Sequence, residues 1–327
     1  MLRANSHRKN AQMGIKGLFT FIKHAGKIVH SGSQQTQSLR IGVDISYFMY
    51  RWGTESSKKY FDFVQQFEKM GHKVLFIFDG KPSKYKEAEI ETRRAVAHKA
   101  QAYVTSLSNS LIEEDLTKEQ QGIIHKIIKS EKKKATRPTK EQRQWLKRRF
   151  YEHKIHMLKS TEEADELLVS LQLNGVIDVI ISGDTDLIRL GAQRLWVPID
   201  SNSIDGNNCS SIHTGHEFLE FSLTRVLKTL NLTEPQFQDM CILTGGVPQI
   251  AVQRHVDIRK AWSWIRVYGS IEGLIDKHPA YWPCDYPSIR EKIGELKSPA
   301  NLDEWVREDE RDRLEAWCKG EPPPYTY

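Results

Sequence analysis

Four apolar runs of strand length punctuate the chain: LRIGVDI (39–45), KVLFIFD (73–79), VIIS (179–182) and RLWVPI (194–199). None alternates strictly between apolar and polar residues. This is the pattern of strands buried on both faces, as in a parallel sheet. Helix-like segments lie between them, among them 57–70 and 161–173. The alternation predicts an α/β fold with a mostly parallel central sheet flanked by helices. From about Phe218 onward the pattern reads as helical. A stretch from about Lys84 to Tyr151 has helical composition and no strand signal, and it interrupts the alternation as a long charged insertion. Connections of that length inside a compact domain are usually functional.

Composition narrows the class. The 327 residues carry a formal net charge of +6, and mean hydropathy is −0.55. No apolar run reaches transmembrane length, so no membrane partner is expected. Residues 1–12 are polar, lack the apolar core of a secretory signal, and read as a disordered extension. The four cysteines, Cys209, Cys241, Cys284 and Cys318, are scattered. They suggest neither a zinc site nor a disulfide framework, and a reducing compartment is expected. Charge is concentrated in residues 126–149, KIIKSEKKKATRPTKEQRQWLKRR, where Glu131 and Glu141 are the only acids. Such a block commonly contacts a polyanion. A solvated helix face, or a nuclear-localisation patch around Lys132, Lys133 and Lys134, is the alternative.

The candidate chemistry lies at strand ends. Three of the runs finish in an acid, at Asp44, Asp79 and Asp184, and Asp186 follows Asp184 by two residues. In an open parallel sheet, ligands bind at the carboxyl ends of the strands, and adjacent strands lie about 4.8 Å apart. If these strands are neighbours, their terminal carboxylates converge. Taken singly, each acid could be a helix cap or a turn residue. Ser160 and Glu163 have the spacing of a capping box. Asp165 is not explained that way, and both Glu163 and Asp165 open the helix that leads into the Asp184 strand. Six carboxylates in one place repel one another unless cations neutralise them. An all-oxygen set selects hard cations such as Mg²⁺ or Mn²⁺, and two such ions can clamp the oxygens of a phosphodiester.

These residues resemble the flap endonuclease family of structure-specific 5′ nucleases. The resemblance rests on MGIKGLFTFIKHAG (13–26), VDISYFMYRW, FIFDGKPSKYKEAEIETRRA, EEADELL and GDTDLIRLG, in family order, and it runs from Met13 to about Ile275. It implies a PIN-like 5′-nuclease fold with a helical arch and a C-terminal helical region. The expected divisions are 1–12 (extension), 13–110 (nuclease N-terminal region), 111–153 (arch), 154–275 (nuclease internal region with a degenerate helix–hairpin–helix) and 276–327 (C-terminal helical region). It also implies metal ligands at Asp44, Asp79, Glu163, Asp165, Asp184 and Asp186. Catalytic cations are implied at Lys86 and Arg93, seven residues apart on one helix face, with Asp184 among the catalytic groups. Nucleic-acid contacts are expected from Tyr50, Arg94, Lys132, Lys133, Lys134 and Arg137. The implied activity is hydrolysis of phosphodiesters at DNA flaps or free 5′ ends in replication, repair or recombination. The expected setting is a monomer acting in the nucleus, or in the cytoplasm if the chain is viral.

The sequence departs from the family pattern in two places. The family's seventh metal acid falls on Val247 in GGVP (245–248), so of two expected ions the second should be weakened. The family's hairpin glycines fall on His255, Val256 and Asp257, where backbone cannot approach phosphate as closely. No sliding-clamp peptide is found near the end, CKGEPPPYTY. Two alternatives follow: a weakened nuclease-fold protein that holds branched nucleic acid as a scaffold, and an RNA-directed 5′ nuclease.

Overall fold

The four apolar runs become adjacent strands. In the computed structural model the described residues are 15, 17–30, 37–54, 57–81, 87–113, 116–135, 138–199, 217–244, 256–279, 286–296 and 306–324. They form, in chain order, α1 (Leu18–Ile22), β1 (Lys27–His30), β2 (Arg40–Asp44), α2 (Ile45–Trp52), α3 (Lys58–Lys69), β3 (Lys73–Phe78), α4 (Glu87–Glu113), α5 (Lys118–Ala135) and α6 (Lys140–Glu152). Then come β4 (Met157–Lys159), α7 (Ala164–Leu173), β5 (Val179–Ile181), α8 (Asp186–Arg189), β6 (Arg194–Pro198) and β7 (Glu217–Ser222). Six helices follow: α9 (Leu223–Leu230), α10 (Glu234–Leu243), α11 (Ile258–Tyr268), α12 (Ile271–Lys277), α13 (Tyr286–Leu296) and α14 (Arg311–Lys319).

The strands lie in the order β1-β7-β6-β5-β2-β3-β4. Those predicted from apolar runs occupy the centre. Neighbours from β6 to β4 are parallel, with Asp44 opposite Ile77 and Val43 opposite Ile181. Strand β7 runs antiparallel to both β6 and β1. Alternate side chains of β3 serve two cores: Val74, Phe76 and Phe78 face α2, α3 and α6, whereas Leu75 and Ile77 face the layer containing α1, α7, α9, α10 and α11. That double burial is why these runs lack alternation.

Three strands were not expected: β1, β4 and β7. The expectation of purely helical structure after Phe218 is corrected by β7. Its pattern is broken by Glu220, a buried acid that accepts hydrogen bonds from Arg194 Nε (2.6 Å) and Trp196 Nε1 (2.7 Å) on β6. Partners on another strand make that acid tolerable, and a linear sequence does not display them. Strands β1 and β4, four and three residues long, are too short to show a period. The insertion is helical as expected, but the boundary at 110/111 falls inside the unbroken α4, and that at 275/276 falls inside α12.

The chain passes from β2 outward to β3 and β4, then returns to the other side of β2 to lay down β5 and β6. Strand order therefore reverses between β2 and β5, with Asp44 ending one strand and Asp184 following the other. This is where open α/β sheets bind their ligands.

Phe76 is fully buried, with its ring 4.8 Å from that of Phe150 on α6. The contact fastens the last helix of the insertion to the sheet. Phe76→Ala is expected to cost about 3–5 kcal/mol in denaturant unfolding. A loss below 1 kcal/mol would show that α6 is not held through this cluster.

Candidate active site

The strand-end acids are tied into one row by two serines. Asp44 caps α2, accepting from the backbone N–H groups of Ser46 (2.9 Å) and Tyr47 (3.3 Å). The Ser46 hydroxyl donates to Asp79 Oδ2 at the end of β3. From β5, the Ser182 hydroxyl donates to Asp44 Oδ2 (2.8 Å) and accepts from the backbone N–H of Asp184 (3.0 Å). Asp184 Oδ1 accepts from the N–H of Asp186 (2.9 Å), and Asp186 Oδ1 accepts from that of Ile15 (2.6 Å). Asp79, Ser46, Asp44, Ser182, Asp184 and Asp186 thus run across the switch point, with the N-terminal segment anchored at one end.

Sequence reasoning passed over Ser46 and Ser182. Their signal was present: a hydroxyl two residues from a strand-ending acid, able to donate across to the next strand. It also passed over Gly183, where a Cβ would collide with the Tyr47 ring.

Asp79 binds the remaining acids to this row. Its Oδ1 accepts from the N–H of Ala164 (3.0 Å), the first residue of α7. A carboxylate from β3 therefore caps the helix that carries Asp165 in its first turn, with Glu163 at the cap position. The capping box expected from Ser160 and Glu163 does not form: the Ser160 hydroxyl donates instead to the Glu163 carbonyl (3.0 Å). The N–H groups of Gly80 and Lys81 donate to the carbonyls of Glu162 (2.5 Å) and Thr161 (3.1 Å). A Cβ on Gly80 would strike the backbone of Ser160 and Thr161. Glycine there lets the β3 end and the α7 entry lie side by side.

Burial sets the electrostatics. Asp44 is 4% exposed. Its carboxyl is pushed up to about 7, chiefly by burial, then by the charge of Asp79 and less by that of Asp184, against hydrogen bonds that favour ionisation. Arg189 is 8% exposed, and among the described residues its Nε has no hydrogen-bond partner. The buried Cys241 thiol is raised by burial and feels both Arg189 and Asp186.

As they stand, no three acidic, histidine or cysteine side chains among the described residues are close enough to hold an ion between them. The donor set nevertheless fits a hard divalent cation in kind: carboxylates and hydroxyls, with no sulfur or imidazole. A buried carboxyl raised by two neighbouring acids is one that a cation would return to its charged form.

The other expected residues divide. Tyr50 is exposed on α2, and Arg94 and Lys132 are exposed on α4 and α5. Lys86, Arg137 and Val247 lie outside the described residues, as do the side chains of Arg93, Lys133 and Lys134. Asp257 caps α11 by accepting from the N–H of Arg259 (2.9 Å), and Trp262 donates its Nε1 to the Leu230 carbonyl (2.9 Å).

The XPG I-region family matches residues 154–246, the span from β4 through the GG of GGVP. The chain is 26% identical over 306 residues to flap endonuclease 1 of Cryptosporidium muris, covering 85% of this chain and 62% of that protein. It is 28% identical over 303 residues to flap endonuclease 1 of Entamoeba histolytica, covering 85% and 75%. Among solved structures, the catalytic core of Rad2 in complex with DNA substrate superposes with a TM-score of 0.56 at 14% identity, covering 96% of this chain and 88% of that one. A Holliday junction-resolving enzyme GEN1 with product DNA and Mg²⁺ gives 0.53 at 14%, covering 95% and 69%. The α/β fold is the one seen in the Rad2 and GEN1 structures. The chain is thus similar to flap endonucleases over most of its length, and it spans about three-fifths of the length of curated relatives such as the Cryptosporidium proteins.

Because the folded-state pKa of Asp44 is raised, the folded protein keeps a proton that the unfolded chain releases near pH 4. The contribution of Asp44 to stability therefore falls as pH rises from about 4 to about 7. In chelator, the Tm of Asp44→Asn relative to wild type is expected to climb between pH 5 and pH 8. A difference that does not change with pH would show that the carboxyl titrates normally.

Proposed function

We propose that the chain is a divalent-metal-dependent, structure-specific 5′ nuclease that hydrolyses phosphodiesters of DNA bearing a 5′ flap or a free 5′ end. The observation that carries this reading is the hydrogen-bonded row of carboxylates across the sheet's switch point, from Asp79 through Asp44 and Asp184 to Asp186. Similarity to proteins named flap endonuclease 1, and to a GEN1 structure in complex with product DNA and Mg²⁺, supports it.

Mg²⁺ or Mn²⁺ held by Asp44, Asp79, Glu163, Asp165, Asp184 and Asp186 would supply Lewis-acid stabilisation and an activated water. The chain's own residues do the positioning. Ser46 and Ser182 fix the orientations of Asp44 and Asp79, and Asp79 sets the position of α7 by capping it. Lys86 and Arg93 are assigned as cations facing the scissile phosphate. The basic limb at 126–149 neutralises phosphates of the strand being held. Tyr50, exposed on the helix that Asp44 caps, offers a ring for a terminal base. Val247 leaves the second ion with one ligand fewer. The chain is expected to act as a monomer.

A binding role with little turnover is the second reading, favoured by Val247 and by His255, Val256 and Asp257 where the family has its hairpin. Wild type is expected to cut 5′-flap DNA in Mg²⁺ or Mn²⁺, with Asp79→Ala and Asp184→Ala each slower by at least about 100-fold. Val247→Asp is expected to raise the rate at limiting metal by roughly 10- to 100-fold. Salt-dependent DNA binding without cleavage in either metal would give the protein to the second reading.

A further inference from the structure

Helix α6, the return limb of the insertion, has one face in the core. Leu146 and Phe150 are fully buried against the sheet. Beside them Trp145 is 38% exposed. It lines a depression of about 300 Å³ together with Glu141 and Gln142 of the same helix and Thr54 from the loop after α2. Glu141 and Gln142 stand four and three residues before Trp145, so all three share one helix face. The indole is therefore a wall of the depression rather than a core side chain, since the core contact of α6 is already made by its neighbours.

Size, chemistry and charge agree on the occupant. An engineered cavity of about 150 Å³ takes up a benzene, so this depression has room for a nucleobase. The lining is almost wholly apolar, because the Gln142 side-chain oxygen accepts from the Thr139 N–H (2.9 Å) and the Glu141 carboxylate is hydrogen-bonded at the same helix start. An apolar wall with an indole on it suits the face of a base, whatever its hydrogen-bonding edge. Arg148, three residues after Trp145, is exposed on the same helix face and brings the rim the positive charge that a phosphate backbone needs, while the ring supplies the stacking surface. The eight residues of α2 span about 12 Å, which sets Thr54 a helix length from Asp44. The bound base would belong to a nucleotide away from the reacting phosphate.

We propose that Trp145, Glu141, Gln142 and Thr54 form a stacking subsite for an unpaired base in the single-stranded arm of a DNA substrate. This rests on the reading that the chain acts on DNA. The test is equilibrium binding of the full chain, in chelator, to labelled duplex with a single-stranded 5′ arm. One arm carries bases throughout, and a second has abasic sugars.

Trp145→Ala should weaken binding to the base-bearing arm by roughly 5- to 100-fold. Trp145→Phe should keep most of the affinity, and neither change should matter on the abasic arm. An unchanged affinity for the base-bearing arm, or an equal loss on both arms, would overturn the subsite. Cleavage of the same DNA in Mn²⁺ is scored separately. A base-dependent Trp145 effect without cleavage sinks the nuclease reading and leaves the subsite standing. Cleavage with a neutral Trp145 does the reverse.

Discussion

Everything in this molecule depends on holding like charges together where they would rather part. Asp44 is buried, Asp79 and Asp184 act on it through space, and burial alone already disfavours its ionised form. The fold maintains the arrangement by placing each acid on backbone that the two cores fix rigidly, and by supplying donors. Two serine hydroxyls and the N–H groups of Ser46, Tyr47, Ala164, Asp186 and Ile15 all point at carboxylate oxygens. Hydrogen bonds to the charged form offset part of the repulsion. A bound cation would offset more of it.

The rest of the architecture follows from serving that row. Parallel strands bring their carboxyl ends to one side, and the reversal of strand order between β2 and β5 opens the space above them. Gly80 allows β3 and the α7 entry to touch, and Gly183 makes room for the Tyr47 ring. The insertion returns through α6, whose Phe150 reaches into the sheet's aromatic core beside Phe76 and Tyr60. A basic limb is thus footed next to an acidic row.

The central strands and their acids were legible because double burial leaves an unmistakable mark: 74–78 reads VLFIF and 179–181 reads VII. The flanking strands were not. Strand β7 hides a buried glutamate whose partners, Arg194 and Trp196, belong to a different strand. Ser160 and Glu163 carried the spacing of a capping box, yet Asp79 took over the cap from another part of the chain. A local motif lost to a carboxylate brought in from a distant strand end.

The sequence by itself determined which residues could do chemistry and which strands would be buried, since side-chain type and apolar run length are local properties. It also placed the charge of the insertion. Only the tertiary structure decided that β5 pairs with β2, that Ser46 and Ser182 join three acids into one row, and that Trp145 faces a depression instead of the core. Those outcomes depend on contacts between residues up to 171 positions apart, as from Ile15 to Asp186, and pairing across such distances is fixed by the packing of the whole sheet.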